Sequence, residues 1–244
     1  MPHVDVTVIS DAICPWCFIG KRHLALALAD LPDEIAVSVA WQPFELNPAM
    51  PPGGMSRRDY RTAKFGSWER SLALDAQVEA AARGAGIEIH HERMTRTPNT
   101  FAAHRLIWLA GRHGVQQSVV DELFARYFVN GEDIGDARVL ADAADAGGLY
   151  GVDVPAFLES REGGDRGTWR AGPRPPARHR RRADVHHQWP DRPVGCPAPR
   201  GAARSHSRGQ LSAAYRHRHR WYVDYLAGPC DSSIHPLSSR RPGP

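Results

Sequence analysis

Alternation of apolar and polar positions predicts a strand, a helix and a second strand at the start of the chain. Residues 4–10 (Val-Asp-Val-Thr-Val-Ile-Ser) alternate and are rich in β-branched side chains, which is typical of a strand. From Phe18 onward, isoleucine and leucines interspersed with alanines predict a helix. Residues 35–41 alternate again and predict a second strand, which continues into residues 42–48 before a proline- and glycine-rich loop over 50–54. The pattern therefore predicts an α/β unit.

A block of about four helices is predicted to follow, from about residue 57 to residue 149, because the spacing of apolar residues changes to three or four. The apolar positions are, helix by helix, Leu72, Val78, Ala81 and Ala82; Ala103, Leu106, Ile107 and Ala110; Val119, Leu123, Phe124 and Phe128; and Val139, Leu140 and Ala143. Asn99 and Asp136 are predicted N-caps, whereas Gly114 and Gly131 are predicted to end helices.

Two cysteines lie three residues apart at the junction between the first strand and the first helix. Residues Cys14–Cys17 have the sequence Cys-Pro-Trp-Cys. In the order strand, cysteine pair, helix, this spacing indicates redox chemistry. A structural zinc site would need a second ligand pair, whereas Cys196 and Cys230 stand alone, so we predict no metal site.

Each residue of this motif has an expected role. Unpaired N–H groups and the peptide dipoles at a helix N-terminus stabilise a thiolate, so we expect Cys14 to have a lowered pKa and to be the attacking sulfur. Cys17, one helical turn later, is expected to resolve the mixed disulfide. Pro15 suits the first helical position, and Trp16 is expected to be partly exposed and to offer a flat surface to a partner chain.

Charge and composition change abruptly near residue 163. Residues 1–162 hold 15 lysines and arginines against 22 acidic residues, whereas residues 163–244 hold 16 arginines, no lysine and 5 acidic residues. Over residues 163–220, isoleucine, leucine, valine, methionine and phenylalanine are represented only by Val185, Val194 and Leu211. This composition predicts disorder for that segment. An arginine-rich tail that binds nucleic acid and a flexible appendage are the simplest interpretations.

Other function classes find little support in the sequence. No apolar run approaches the ~18 residues of a membrane span, and residues 1–5 do not resemble a secretory signal, so we predict a cytoplasmic protein with no membrane partner. A metal site built from the histidines of the arginine-rich segment is not expected, because no predicted fold holds them together. They are His179, His186, His187, His206, His217 and His219.

Three separated motifs resemble the cytoplasmic, FrnE-type branch of the DsbA family of thiol–disulfide oxidoreductases. They are Ser10–Lys21 (SDAICPWCFIGK), Trp41–Pro48 (WQPFELNP) and Asn99–Leu106 (NTFAAHRL), in that order. The branch is related to 2-hydroxychromene-2-carboxylate isomerases and kappa-class glutathione transferases. The resemblance covers about residues 4–160 and implies a thioredoxin fold interrupted by a helical insertion.

The resemblance also implies a division of the chain. Residues 1–48 would form the N-terminal half of an α/β thioredoxin fold, residues 49–150 an α-helical insertion, and residues 151–162 a return toward the thioredoxin fold. The family then carries a Val-Pro-Thr loop facing the cysteines, followed by further strands. Residues 163–244 do not encode these elements, so the C-terminal third of the fold is predicted to be missing or disordered.

A shifted reading frame accounts for this departure. Residues 180–189 (Arg-Arg-Arg-Ala-Asp-Val-His-His-Gln-Trp) permit codons that, read one base later, give Ala-Gly-Val-Pro-Thr-Phe-Ile-Ile-Asn-Gly. That peptide matches the loop and strand that the resemblance implies. Arginine, proline, alanine and glycine are also the residues that a GC-rich gene yields out of frame. We therefore predict that residues 163–244 are largely out of frame, with the shift between about Arg161 and Arg166.

The predicted function is thiol–disulfide exchange with protein or small-molecule thiols and disulfides, without a bound cofactor, although glutathione could serve as a thiol co-substrate. One alternative is a glutathione-dependent isomerase or transferase on the same scaffold, for which the second cysteine would be unnecessary. Another is a non-enzymatic arginine-rich binding protein, whose contact with nucleic acid would be nonspecific. Activity is predicted to be poor for the chain as written, and the oligomeric state is left open.

Several charged or polar residues near the motifs have two interpretations. Asn99 and His104 could face the active-site cleft, or could be a helix cap and a packing residue. The pair His90–His91 is predicted to lie in an exposed turn beside acidic residues. Lys21 and Arg22 follow the cysteines and are expected to stabilise a thiolate only weakly as exposed charges.

Overall fold

A parallel pair of strands joined by one helix begins the chain in the computed structural model, which describes residues 3–166 and residue 169. Strand β1 (His3–Ser10) and strand β2 (Ala36–Pro43) pair in parallel over their full lengths. Helix α1 (Pro15–Ala29) connects them. The strand–helix–strand unit predicted from hydrophobic alternation is confirmed.

Six further α-helices follow within the described residues. Their bounds are α2 (Arg57–Phe65), α3 (Trp68–Gly84), α4 (Phe101–Arg112), α5 (Gln116–Phe124), α6 (Ala137–Ala146) and α7 (Val154–Glu159). A π-helical segment, Ala125–Asn130, continues α5, and one 3-10 turn spans His91–Arg93. Strand β3 (Met55–Ser56) pairs antiparallel with strand β4 (Arg96–Thr97) at the base of this block. None of the described helices is both long and apolar enough to cross a bilayer.

The first helical stretch is two helices and not one. Gly66, with φ of 89°, ends α2 in a left-handed conformation. The Ser67 hydroxyl then accepts the N–H of Arg70 and starts α3. Residues 57–149 therefore contain five α-helices, where about four were predicted, because this break is made by a single glycine and a cap.

Helix α3 also buries a different face from the one predicted. Leu72 is 47% exposed, whereas Ser71 and Asp75 are buried together with Val78 and Ala82. The prediction that Leu72 shares the buried face was wrong, because two polar residues occupy that stripe. Their partners are arginines of α2, which an apolar pattern does not reveal.

The predicted helix ends at Asp136 and Gly131 are confirmed. The Asp136 carboxylate accepts the N–H groups of Arg138 (2.7 Å) and Val139 (3.4 Å) at the start of α6. At the start of α4 the prediction was wrong by one residue: Thr100 is the N-cap, and Asn99, just before it, accepts the N–H of Phe101 through Oδ1 (2.9 Å). Gly131 ends the π-helical segment with φ of 76°, and a Cβ there would lie 2.5 Å from the Arg93 carbonyl oxygen, so only glycine fits.

Aromatic packing fixes α1 on the helical block. Phe18 lies in α1, and its ring centroid is 5.2 Å from that of Phe124 and 5.4 Å from that of Phe128. Gln116 of α5 satisfies the outer edge of β2: its amide accepts the N–H of Trp41 (2.8 Å) and donates to the Trp41 carbonyl (3.0 Å). Helix α5 thus contacts both α1 and β2.

Strand β1 has less support than β2. Within the described part of the chain it pairs only with β2, and its other edge has no partner strand. Val4 is 43% exposed, and the remaining residues of β1 before Ser10 are exposed or half-buried. A two-stranded sheet of this kind is marginal in water unless more strands or helices cover it.

Arg105 of α4 closes the C-terminal end of α7. Its guanidinium donates to the carbonyl oxygens of Phe157 (2.8 Å), Leu158 (2.8 Å), Ser160 (3.0 Å) and Glu162 (2.7 Å). The last carbonyls of a helix lack a donor from the following turn. The Phe157 carbonyl also accepts the N–H and the hydroxyl of Ser160, whereas Arg105 is the donor to the carbonyls of Leu158 and Glu162. The segment before residue 163 is therefore tied to the helical block by Arg105.

Replacing Arg105 by methionine is expected to release α7. The carbonyls at the end of α7 lose their charged donor, which we expect to cost about 2–3 kcal/mol and to speed amide hydrogen exchange in α7 about 100-fold. Arg112→Met is the matched control, because Arg112 pairs with Glu162 on the surface and is expected to contribute less than about 1 kcal/mol. Equal exchange rates in the two variants would contradict this role for Arg105.

Candidate active site

The cysteine motif lies at the junction between the end of β1 and the start of α1. The Asp11 carbonyl accepts the N–H of Cys14 (3.1 Å), which closes the turn after β1. The Cys14 carbonyl in turn accepts the N–H groups of Cys17 (3.0 Å) and Phe18 (3.2 Å), so Cys14 is the N-cap residue of α1. Pro15 occupies the first helical position, where its missing N–H leaves no hydrogen bond unmade.

The two thiols are free and differ in access to solvent. Cys14 is 8% exposed, whereas Cys17 and Trp16 are half-buried. The side chains of Cys14 and Cys17 share a hydrogen bond. The arrangement is a reduced dithiol at a helix N-terminus.

Electrostatics separate the two thiols in the opposite sense to the prediction. The hydrogen bond from Cys14 lowers the pKa of Cys17 to about 7; burial opposes this, and the Ser10 hydroxyl adds to it. The same hydrogen bond, together with burial, raises the pKa of Cys14 well above its ordinary value. The expectation of a lowered pKa at Cys14 was therefore wrong, because that thiol is more buried and donates the shared proton. One thiolate forms near neutral pH, and it belongs to the pair.

Two further motif residues lie against this turn. His104 of α4 is fully buried, and its Nε2 is 3.2 Å from Asp11 Oδ1. Asn99 lies just before the N-cap of α4: its Oδ1 accepts the N–H of Phe101, and its Nδ2 donates to the Met50 carbonyl (2.6 Å). His104 thus approaches the redox turn, whereas the side chain of Asn99 is engaged in local structure. Asp11 was not singled out by sequence reasoning, and its only signal was its place in the motif before Cys14.

Lys21 and Arg22 do not act as free charges beside the cysteines. Lys21 is largely buried and forms an ion pair with Asp121 of α5. Arg22 Nε donates to the Ala85 carbonyl (3.3 Å) at the end of α3. The prediction that both are exposed charges was wrong for Lys21, because its partner lies 100 residues away in the sequence.

The paired histidines after α3 are also less exposed than predicted. His91 is buried, its Nδ1 is 2.8 Å from Glu79 Oε1, and its Nε2 is 3.6 Å from Asp75. Burial lowers the pKa of His91, and the neighbouring carboxylates oppose this. The prediction that both histidines lie in an exposed turn was wrong for His91, which is buried, and His90 is only 26% exposed.

Several predictions concern residues outside the described ones. Within residues 3–166 and residue 169, no group of three or more histidine, cysteine, aspartate or glutamate side chains could hold a metal ion. The disorder predicted for residues 163–220 cannot be compared with the structure at residues 167, 168 and 170–220, which lie outside the described part. Two cysteines and six histidines of the sequence analysis also lie outside it. They are Cys196, Cys230, His179, His186, His187, His206, His217 and His219.

Comparison with known proteins agrees with the resemblance seen in the motifs. The chain is 28% identical over 158 residues to the uncharacterized protein YwbO of Bacillus subtilis (strain 168). The matched region covers 65% of this chain and 73% of that protein. The crystal structure of the probable DsbA oxidoreductase SCO1869 from Streptomyces coelicolor superimposes with a TM-score of 0.60 at 29% identity. That match covers 70% of this chain and 73% of the other.

A protein-family model matches nearly all of the residues that the structure describes. The model of the DSBA-like thioredoxin domain matches residues 5–166, which include most of β1, the cysteine motif, β2 and all the helices described above. The fold is accordingly thioredoxin-like with a helical insertion after β2, as the motifs predicted. The chain belongs to the DSBA-like thioredoxin domain family.

Proposed function

We propose that the protein is a thiol–disulfide oxidoreductase of the FrnE type that exchanges disulfides with protein or small-molecule thiols in the cytoplasm. The observation that carries this proposal is the hydrogen-bonded pair Cys14–Cys17 at the N-terminus of α1. A pair that shares a proton and yields a thiolate near pH 7 is a ready nucleophile under neutral conditions. No bound cofactor is needed, because the two sulfurs supply both electrons.

The exchange uses the two sulfurs in turn. For reduction, the proton that the pair shares moves to Cys17, and the Cys14 thiolate attacks one sulfur of a substrate disulfide; the other substrate sulfur leaves and takes up a proton. Cys17 loses its proton and attacks Cys14 in the mixed disulfide, which releases the second substrate thiol and leaves a Cys14–Cys17 disulfide. We assign attack to Cys14 because the peptide dipoles of α1 favour an anion at the N-cap, whereas Cys17 lies inside the first turn.

We further propose that the working protein has another sequence after about residue 166. Three observations support a shifted frame: the composition changes near residue 163, the family match ends at residue 166, and the outer edge of β1 has no partner among the described residues. The permitted sequence Ala-Gly-Val-Pro-Thr-Phe-Ile-Ile-Asn-Gly would supply the missing loop and strand. Sequencing the gene across codons 155–170 tests the frame directly.

Reduction of insulin tests the proposed activity. In the presence of dithiothreitol, the frame-restored protein is expected to precipitate the insulin B chain faster than dithiothreitol alone. A Cys14→Ser/Cys17→Ser double variant is the control and is expected to match the uncatalysed rate. A protein that leaves insulin intact but isomerises or conjugates substrates with glutathione would contradict the proposal in favour of the isomerase and transferase relatives.

A further inference from the structure

Asp11 and His104 form a buried pair behind the redox turn. Neither side chain is exposed at all, and His104 Nε2 lies 3.2 Å from Asp11 Oδ1. The other carboxylate oxygen of Asp11 accepts the N–H of Leu46 (2.6 Å), and Oδ1 is 3.4 Å from the N–H of Ile13. The carboxylate is therefore held by backbone groups of two loops, and His104 is its neighbour from α4.

The imidazole of His104 is unusual among the buried polar groups. Its contact with Asp11 is an ion-pair distance without the direction of a hydrogen bond, and neither ring nitrogen has a hydrogen-bond partner among the described residues. The Trp169 ring covers it, with centroids 5.7 Å apart. Buried polar atoms are almost always hydrogen-bonded, and a buried carboxylate needs a counter-charge. A protonated imidazole would supply that charge.

Asp11 is also bonded to the cysteine turn. Its carbonyl accepts the N–H of Cys14, and its backbone hydrogen bonds to the Cys17 sulfur. The hydrogen bond between the cysteines and their burial have the largest effects on the pKa values of the two thiols. The negative charge of Asp11 has a smaller effect and raises both pKa values. Because the carboxylate of Asp11 is fully buried, its charge is weakly screened where it acts on the sulfurs, and a proton on His104 would offset that charge.

We propose that Asp11 and His104 are positioning residues of the dithiol: His104 binds a proton beside the Asp11 carboxylate, and the net charge of the two side chains sets the pH at which the thiolate forms. The proposal rests on the dithiol chemistry proposed above. When His104 is protonated, the carboxylate is neutralised and a thiolate is favoured; when His104 is neutral, the carboxylate repels the thiolate. Proton binding at His104 and proton release at the cysteines are then linked, and linkage acts equally in both directions.

The other titratable groups around this pair are few within the described residues. Cys14 and Cys17 face it from the turn and α1, and Tyr127 senses the Asp11 carboxylate from the π-helical segment. Burial, with the Asp11 charge as a smaller contribution, raises the pKa of Tyr127, so its phenol stays protonated at neutral pH. The two cysteines are therefore the groups that titrate near neutral pH beside the pair.

Thiolate absorbance at 240 nm in the full reduced chain tests the proposal. The wild-type rise is expected near pH 7. Asp11→Asn removes the negative charge and is expected to lower the midpoint by about one pH unit, whereas His104→Gln leaves that charge uncompensated and is expected to raise it by a similar amount. His90→Gln is the control, because the imidazole of His90 is half-buried and pairs with Glu88 and Glu92 of its own turn. This variant is expected to leave the midpoint of the thiolate rise unchanged.

Opposite shifts distinguish a charge effect from loosening of the turn, which would move both variants in one direction. Shifts of the same sign, or none, would overturn the proposal. If the variants do not fold, nuclear magnetic resonance of His104 in the wild-type chain decides: its titration midpoint is expected to be about one pH unit higher with the thiolate present than in the disulfide form. An unchanged midpoint would equally overturn it. Because these readouts do not require turnover, failure to reduce insulin would contradict only the proposed function.

Discussion

Restoring the reading frame after about codon 161 is expected to raise the rate of insulin reduction about 100-fold over the chain as written, since misplaced substrate-positioning groups alone cost that much. The permitted segment would add the loop opposite Cys14 and the strands that follow it. The resemblance to the DsbA family implies that the backbone beside this loop pairs with an extended substrate by strand addition. The dithiol would then have a bound disulfide to attack.

Stability is expected to rise with activity. Strand β1 has one partner strand among the described residues, and Val4 on it is 43% exposed. Three or more strands are normally needed for a stable sheet, so a strand added at the free edge of β1 would both pair its backbone and cover its valines. We expect the frame-restored protein to unfold in one cooperative transition at a clearly higher temperature than the chain as written.

Calorimetry and the insulin assay on three purified chains would test this expectation. The third chain, which ends at residue 166, is the matched control: it lacks the arginine-rich segment and also lacks the permitted strand. It is expected to behave like the chain as written, which would show that the gain comes from the added strands. A gene sequence that confirms the present frame would contradict the explanation, as would full activity in the shortened chain.

The sequence was most informative where local rules decide structure. Alternation over residues 4–10 and 35–41 predicted both strands, and Asp136 was recognisable as a cap because a carboxylate followed by a helical pattern is a local signal. The position of the Cys14–Cys17 pair between strand and helix was predicted in the same way. These features depend on a few consecutive residues, so no tertiary information was needed.

Long-range pairing explains what was missed. Lys21 is buried against Asp121, and His91 against Glu79, and neither partner can be identified from spacing along the chain. The lowered pKa of Cys17 depends on which thiol donates the shared proton, which the motif Cys-Pro-Trp-Cys does not specify. Burial of charged groups is settled by tertiary contacts, and propensity does not report them.

Serine in place of Cys14 is expected to abolish insulin reduction in the frame-restored protein, with a rate below about 1% of the wild-type rate, because no attacking thiolate remains on the assigned sulfur. Serine in place of Cys17 is expected to permit one attack and then stop. The mixed disulfide formed by Cys14 would have no resolving thiol and would accumulate. Both substitutions replace a cysteine sulfur by oxygen within the same motif, so each variant serves as the matched control for the other.

Mass spectrometry after mixing each variant with oxidised glutathione would distinguish the two sulfurs. The Cys17→Ser variant is expected to gain one glutathione on Cys14 within the first minutes, and the Cys14→Ser variant to gain it far more slowly. The opposite result would assign attack to Cys17, in keeping with its lower pKa and greater exposure. Insulin reduction that survives Cys17→Ser would contradict the dithiol mechanism itself, because a single cysteine cannot release the substrate by forming an internal disulfide. The dipole of α1 and the shared proton thus predict different nucleophiles, and the rate of adduct formation decides between them.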